Sequence, residues 1–373
     1  MKQRLAFFLI LPLLLACTAH TAKAEAEKPQ ISAGAYVLYC ADSGGVLLSS
    51  NEHEKMGMAS TTKIMTSLLC LEQASAADRK VTFTREMSAE GSSMYLKAGD
   101  VVRLSDLAAG MMTVSGNDAA NAAAIAIGGT QEKFASLMNQ RAKQIGMENT
   151  NFVTPSGLSH PDHYSTAYDM ALLMDYAMEN EDFAELTAKK SVTVDFVKPR
   201  THRVTYNNHN RLLSMYEHCT GGKTGYTQST GRCLVTSAEY EGLRLIAVTL
   251  NDRNDWQDHI ALYEYGFENF TAFSPNVQEI YRVSVAGSEL QSITAYAPFK
   301  KVCALKKSDA EKVQTKVFLP GMVYAPVCKG DVLGRVVCTL EGEEILTLEL
   351  MAKEDAPHKY SFWLIRFIRG LFK

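Results

Sequence analysis

A chain that puts Ser60 and Lys63 to chemical use must start a helix at Ala59-Ser60-Thr61-Thr62-Lys63-Ile64, because a helical turn brings positions i and i+3 onto one face. A serine hydroxyl is a weak nucleophile until a base takes its proton, and a lysine amine is such a base once its pKa is lowered. Alone, the spacing is equally that of a serine capping a helix and a lysine on its surface. Two further strings, Ser115-Gly116-Asn117 and Lys223-Thr224-Gly225, give it company. Acyl transfer through serine needs a nucleophile, a base, a proton relay to the leaving group and an anchor for the substrate's charge. Ser115 offers a relaying hydroxyl, and Asn117 an amide to hold a substrate carbonyl or the lysine amine. Lys223 brings positive charge, and Gly225 lets a substrate backbone approach closely. The fold that uses these residues must draw three distant segments into one cleft.

The periodicity around them suits that demand. Ala35–Cys40 and Val46–Ser49 read as a hairpin across Asp42-Ser43-Gly44-Gly45. Ile64, Leu68, Leu69 and Leu71 recur at helical spacing after Ser60. Helices are expected over Ser105–Met112, Asp118–Ile127, Gln131–Ile145 and Thr166–Met178, the second rich in alanine and suited to close packing. Ser191–Val197, His202–Asn207, Thr230–Glu239 and Arg244–Asn251 read as strands, and Asp255–Phe270 as a closing helix. Strands, helices, strands and a helix in that order imply an α+β fold: an antiparallel sheet flanked by helices, with a helical lobe inserted. From Ser274-Pro275 the composition changes. Val277–Tyr281, Leu290–Ala295, Lys316–Leu319 and Ile345–Leu350 are short β-type runs between Gly and Pro turns, which predicts a small all-β domain over 275–357.

The two ends carry their own signals. Lys2 and Arg4 precede an apolar run from Leu5 to Ala16, too short for a typical membrane span, and Ala22-Lys23-Ala24 offers a cleavage site. Residues 1–24 are therefore expected to be an export signal, leaving 25–274 as the catalytic domain. Leu14-Leu15-Ala16-Cys17 is the rival, a lipidation string with Cys17 as acceptor. At the other end, Lys359, Arg366, Arg369 and Lys373 fall on one narrow helical face, with Phe, Trp, Leu and Ile over the rest. Residues 358–373 are expected to form a basic amphipathic helix, with 359–373 lying on an anionic membrane surface. A formal charge of −3 on 373 residues gives no nucleic-acid signal. Loss of Cys17 from eight cysteines leaves an odd number, irregularly spaced, and most read as small buried hydrophobes. His160-Pro161-Asp162-His163 lacks a zinc-type partner set and reads as polar loop histidines. No metal or cofactor is required.

S-x-x-K, S-D-N and K-T-G are the signature shared by penicillin-binding proteins and class A β-lactamases, and this chain matches it with Ser-Gly-Asn in the middle place. The sequence resembles the serine D-alanyl-D-alanine carboxypeptidases, the low-molecular-mass penicillin-binding proteins. It does so at Met58–Lys63, Ser115–Ala120, Asn151–Leu158 and Gly222–Thr227, and more weakly from Asn254-Asp255-Trp256 to Tyr265-Gly266-Phe267. The resemblance implies a β-lactamase/transpeptidase-like domain. It implies that Ser60 attacks a peptidoglycan stem peptide ending in D-Ala-D-Ala, that Lys63 is the base and that Ser115 relays the proton. Asn117, Lys223, Thr224, Gly225, Tyr226 and Thr227 would bind the substrate, with the Tyr226 N–H completing an oxyanion hole. β-Lactams would acylate Ser60 as substrate mimics. Ser-Gly-Asn in place of Ser-Asp-Asn, and no E-x-E-L-N string before Lys223, lead away from a β-lactamase. A β-lactamase, a peptidoglycan endopeptidase on the same scaffold and a non-catalytic penicillin-binding sensor are the alternatives. The expected location is the outer face of the cytoplasmic membrane.

Overall fold

The computed structural model describes residues 27–278, 280–359, 370 and 371. The expected export signal, Cys17 and residues 360–369, 372 and 373 of the amphipathic segment lie outside the described residues. Among the described residues no helix is long and apolar enough to cross a membrane.

A five-stranded antiparallel sheet runs in the order Gly45–Ser50, Ala35–Cys40, Leu243–Leu250, Gly231–Tyr240, Cys219–Thr227. Its central strands are apolar on both faces because both are covered. Val37, Tyr39, Ile246, Val248, Cys233 and Val235 pack toward the helical lobe. Leu38, Cys40, Leu245 and Ala247 pack on the other face with Leu262, Tyr263 and Phe267 of the closing helix, Asp255–Asn269. The lobe comprises helices Lys63–Ala76, Leu104–Thr113, Asn117–Gly128, Gln131–Ile145, Ala167–Met178 and Glu181–Ala188. In Asn117–Gly128 the run of Ala119, Ala120, Ala122, Ala123 and Ala124 is fully buried, so small side chains are what allow this helix into the middle of the lobe.

Ser191–Asp195 and Arg203–Asn207 are strands as expected, but they form a hairpin of their own outside the main sheet. Cys219–Thr227, which carries Lys223-Thr224-Gly225, was not distinguishable from a turn by composition. Its glycines give low strand propensity, and its register with Gly231–Tyr240 supplies the order instead. Helix Glu181–Ala188 also escapes the periodicity; the Asn180 side chain caps it by accepting from Phe183 N at 3.0 Å.

Phe270–Phe273 pairs with Cys303–Lys306, and beyond it a six-stranded sheet has its own core of Val283, Ile293, Ala295, Val336, Leu348 and Leu350. The strand expected at Val277–Tyr281 begins only at Tyr281, where the ladder with Ala295 starts. Val332–Leu340 is a further strand of this sheet, in which Gly334 and a register shift interrupt the alternation. The seven cysteines among the described residues are free thiols; Cys40, Cys70, Cys233, Cys303 and Cys338 are buried.

Candidate active site

Ser60 lies in a 3-10 turn, Ala59–Thr62, immediately before the helix that begins at Lys63. In a 3-10 turn positions i and i+3 eclipse, which brings the two side chains closer than an α-turn does. Ser60 is no helix cap: Thr62 holds the N-cap position and no side chain caps the helix. Nor is Lys63 a surface charge, being fully buried. Its Nζ lies 2.9 Å from Ser60 Oγ, 2.7 Å from Asn117 Oδ1 and 2.6 Å from the Ser156 carbonyl oxygen. A neutral amine has two N–H donors and one lone pair. The two carbonyl oxygens accept both N–H bonds, which leaves the lone pair for the Ser60 hydroxyl. Burial, and then the charge of Lys223, hold the Lys63 pKa well below its usual value, against a smaller opposing pull from Asp118.

The nucleophile turn is braced from three sides. Ala59 is held at φ +47°, a strained region for a residue with a Cβ. Gly157, at φ +82°, lies so close that a Cβ there would overlap the Ala59 carbonyl. On the sheet side, a Cβ on Gly225 would come within 2.9 Å of Met58 O and 3.1 Å of Ser60 N. From below, Thr62 Oγ1 donates to Ala59 O at 2.7 Å and accepts from His163 Nε2 at 2.9 Å, while His163 Nδ1 accepts from Val153 N at 2.9 Å. This pattern fixes a neutral imidazole, in accord with burial lowering the His163 pKa to about 4. His163 is thus a buried structural residue and not the polar loop histidine expected; only His160 is exposed, with its side chain 42 % accessible. Alternating hydropathy could not separate the two, since the loop folds one histidine inward.

The Ser115 loop is pinned by Asp118, buried, which accepts from Ser93 Oγ at 2.6 Å, Met94 N at 2.9 Å and Leu96 N at 3.1 Å. Ser115 itself is nearly buried and held at φ +60°. Asn117 Nδ2 donates to Glu90 O at 2.6 Å, which orients its carbonyl toward Lys63.

Lys223 is 1 % exposed; its Nζ donates to Thr224 O at 2.8 Å, and burial lowers its pKa to about 7. Cys219–Thr227 is an edge strand whose even-numbered residues turn their backbone groups away from the sheet. Gly222 N and O both pair with Thr187 Oγ1 on the open side, at 2.9 and 3.2 Å. Across the strand from Tyr226, the Arg232 carbonyl accepts from Asp252 N, on the far side. The alternation of an antiparallel ladder therefore directs Tyr226 N–H to the open edge.

Ser60, Ser115, Thr224, Gly225 and Tyr226 line one cavity of about 430 Å³. Lys63, Asn117 and Lys223 are buried outside the lining, Lys63 reaching Ser60 at 2.9 Å and Asn117 reaching Lys63 at 2.7 Å. Thr227 is not brought to it: Thr227 Oγ1 is engaged with Thr230 Oγ1 at 2.9 Å in the turn that follows. Ser92, His209, Arg232, Asp255 and Trp256 complete the lining, and sequence reading assigned none of them a role. Asp255-Trp256 fell in a stretch marked by resemblance; the others carried no motif. Among the described residues no group of three or more His, Cys, Asp or Glu side chains is gathered to hold a metal.

A buried lysine lone pair facing a serine hydroxyl, on a turn clamped against an edge strand with a free N–H, defines a serine acyl-transfer hydrolase of the transpeptidase type. The chain matches the D-alanyl-D-alanine carboxypeptidase family model over residues 21–254, and the penicillin-binding protein 5 C-terminal domain model over 267–358. It is 31% identical over 372 residues to D-alanyl-D-alanine carboxypeptidase DacF of Bacillus subtilis, covering 95% of this chain and 94% of that one. Identity to DacC of Escherichia coli is 34% over 370 residues, 92% of this chain and 88% of that one. The crystal structure of penicillin binding protein 5 from Haemophilus influenzae superposes with a TM-score of 0.76 at 30% identity, over 89% of this chain and 100% of that one. The protein belongs to the serine-type D-alanyl-D-alanine carboxypeptidase family, whose members bind penicillin and act on the cell wall.

Proposed function

We propose that Ser60 Oγ attacks the carbonyl between the two terminal D-alanines of a peptidoglycan stem peptide, with Lys63 as base. The observation that carries this is the three-way setting of Lys63 Nζ, in which two carbonyl oxygens take its N–H bonds and the Ser60 hydroxyl is left to its lone pair. The proton taken by Lys63 passes through Ser115 to the leaving D-alanine nitrogen as the C–N bond breaks. The N–H groups of Ser60 and Tyr226 hold the oxyanion, and preorganised donors of this kind lower a barrier by ~3 kcal/mol each. Asn117 holds the lysine and a substrate carbonyl. Lys223 and Thr224 form the end that receives the terminal carboxylate, Thr227 being engaged with Thr230 outside the cavity, and Gly225 lets the peptide lie against the edge strand. Water then attacks the acyl-enzyme carbonyl; Lys63, neutral again, takes its proton and returns it to Ser60 Oγ as the ester C–O bond breaks and the shortened peptide leaves. A β-lactam acylates the same serine.

Two assays on one preparation test this: covalent labelling by a fluorescent penicillin, and release of free D-alanine from an acylated peptide ending in D-Ala-D-Ala. Both are expected, and both are expected to vanish in Ser60→Ala. Labelling without D-alanine release would leave only a penicillin-binding sensor. Activity retained by Ser60→Ala would remove the site assignment.

We propose further that residues 1–24 direct export and that 359–373 hold the protein on the outer face of the membrane. Support comes from the short apolar run with its A-x-A site and from the basic amphipathic pattern. Co-sedimentation with anionic vesicles, lost on truncation after residue 358, is the expected result.

A further inference from the structure

The six-stranded sheet gives the β domain two distinct ends. The chain enters at Tyr281, where the ladder with Ala295 begins, and the strand Tyr281–Ala286 runs about 17 Å to the turn at Gly287. The chain leaves at that same turn. His358 bridges Ser288, and the Lys359 N–H donates to Gly287 O at 2.7 Å. Entry from the catalytic domain and exit therefore lie at opposite ends of one strand.

The exit end carries apolar side chains that the core of the domain does not use. Met322–Tyr324 pairs with Ser284–Ala286 at the edge of the sheet, with Tyr324 across from Ala286 and so beside the exit. Alternation turns Val323 toward the core and leaves Tyr324 outside, 74 % exposed. Leu290, in the turn after Gly287, is 39 % exposed. Charge at this end is close to balanced. Lys329, Lys353 and Lys359 stand against Glu289, Asp331, Glu354 and Asp355. The last three carboxylates accept from the backbone N–H groups of Cys328, Thr294 and Lys329, at 2.7, 2.8 and 2.6 Å. An attraction exerted by this end must come from its apolar side chains.

The sequence that follows identifies the partner. Tyr360, Phe362 and Trp363 come directly after Lys359, without a polar linker. Trp363 is four residues beyond Lys359, so even a fully extended chain keeps the two within ~14 Å. That is shorter than the strand Tyr281–Ala286. With residues 359–373 on a lipid surface, the end of the domain that holds Lys359 is brought to the headgroup layer. A tyrosine suits that layer, with its ring among apolar groups and its hydroxyl in water.

We infer that the exit end of the β domain is itself a lipid-binding face, with Tyr324 and Leu290 in the headgroup layer of the bilayer. The domain then stands on the membrane by two contacts, one basic and one apolar, and holds the catalytic domain at its far end. This rests on the membrane reading of residues 359–373 and adds a contact that those residues do not make.

The test is co-sedimentation of the chain from residue 25 onward with vesicles of phosphatidylglycerol and phosphatidylethanolamine in equal parts. Tyr324→Ser combined with Leu290→Ser removes apolar surface without adding charge. It is expected to weaken partition about 10-fold, the scale of half-burying two such side chains, and by a similar factor at low and high salt. Tyr324→Phe keeps the ring and is expected to stay near the wild type. Phe299→Ser, at an exposed aromatic beyond Tyr296 at the entry end, is expected to bind as the wild type does. Binding that is lost on truncation after residue 358 but unchanged in the double variant would overturn the face and leave the anchor standing. Equal losses in the double variant and in Phe299→Ser would also overturn the face. No binding by the wild type would overturn both.

Discussion

Lys63 Nζ and Asn117 Oδ1 meet at 2.7 Å inside the lobe, joining the helix that follows Ser60 to the helix that follows Ser115. The contact gives the base its orientation. Asn117 is itself held by Glu90 O, so it cannot turn away, and its carbonyl engages one N–H of Lys63. Remove the amide oxygen and the amine is free to rotate an N–H toward Ser60, where a lone pair is needed. Asn117→Ala is therefore expected to slow penicillin acylation by ~10²-fold, the scale of losing one preorganised polar group in an active site, as read by the label's rate of incorporation.

The charges around Lys63 make opposite predictions for two variants. Lys223 lowers the Lys63 pKa, whereas Asp118 raises it. A base must be neutral, so acylation falls as pH drops through the Lys63 pKa. Lys223→Met removes a positive neighbour, raises that pKa and moves the acid limb to higher pH. Asp118→Asn removes a negative neighbour and moves the limb to lower pH. The limb of penicillin acylation against pH reads both; movement in the same direction would detach it from Lys63.

Gly157→Ala tests the brace behind the nucleophile. The backbone there is at φ +82°, and a methyl group would meet the Ala59 carbonyl and Thr62 Oγ1. Strain and overlap together are expected to cost about 2–5 kcal/mol of stability, with acylation impaired because Ala59 precedes Ser60. Urea unfolding gives the first quantity and penicillin labelling the second.

Much of the catalytic half was legible in the sequence because it is encoded locally. Ser60-Thr61-Thr62-Lys63 is one turn, and the buried helices declare themselves by apolar spacing. What escaped has a common physical cause. Cys219–Thr227 is ordered by its partner strand and not by propensity. Arg232 acquires its place from an eight-residue register with Cys219–Thr227 and a salt bridge to Asp255, neither visible as a pattern. His163 and His160 are alike in the sequence and opposite in the structure, because only one meets Thr62.

Two buried histidines set the acid side of stability. Burial lowers His163 to about 4 and His259 to about 3, the latter between Thr236 Oγ1 at 2.7 Å and Thr249 Oγ1 at 3.2 Å. Below the unfolded value near 6.5 the unfolded chain binds protons that the folded chain refuses, so stability falls as pH drops from 6.5 toward 4, and on to 3 for His259. Each histidine contributes a slope of ~1.4 kcal/mol per pH unit within its window. The melting temperature is expected to fall steadily from pH 7 to pH 5. His163→Gln is expected to start lower at pH 7 and to fall less steeply; an unchanged slope would contradict the role of the imidazole.

Ser115 separates backbone strain from hydroxyl chemistry. It is held at φ +60°, where a residue with a Cβ is disfavoured by roughly 1–2 kcal/mol. Ser115→Ala and Ser115→Gly both delete the hydroxyl proposed to relay the proton, but only glycine relieves the strain, less the entropy it loses on folding. If the hydroxyl carries the chemistry, both variants lose D-alanine release to a similar degree. Glycine should nevertheless melt a few degrees above alanine, as expected for about 1 kcal/mol in a domain of this size. Should glycine recover release while alanine does not, the loop conformation and not the hydroxyl is what the reaction needs, and the relay must be reassigned.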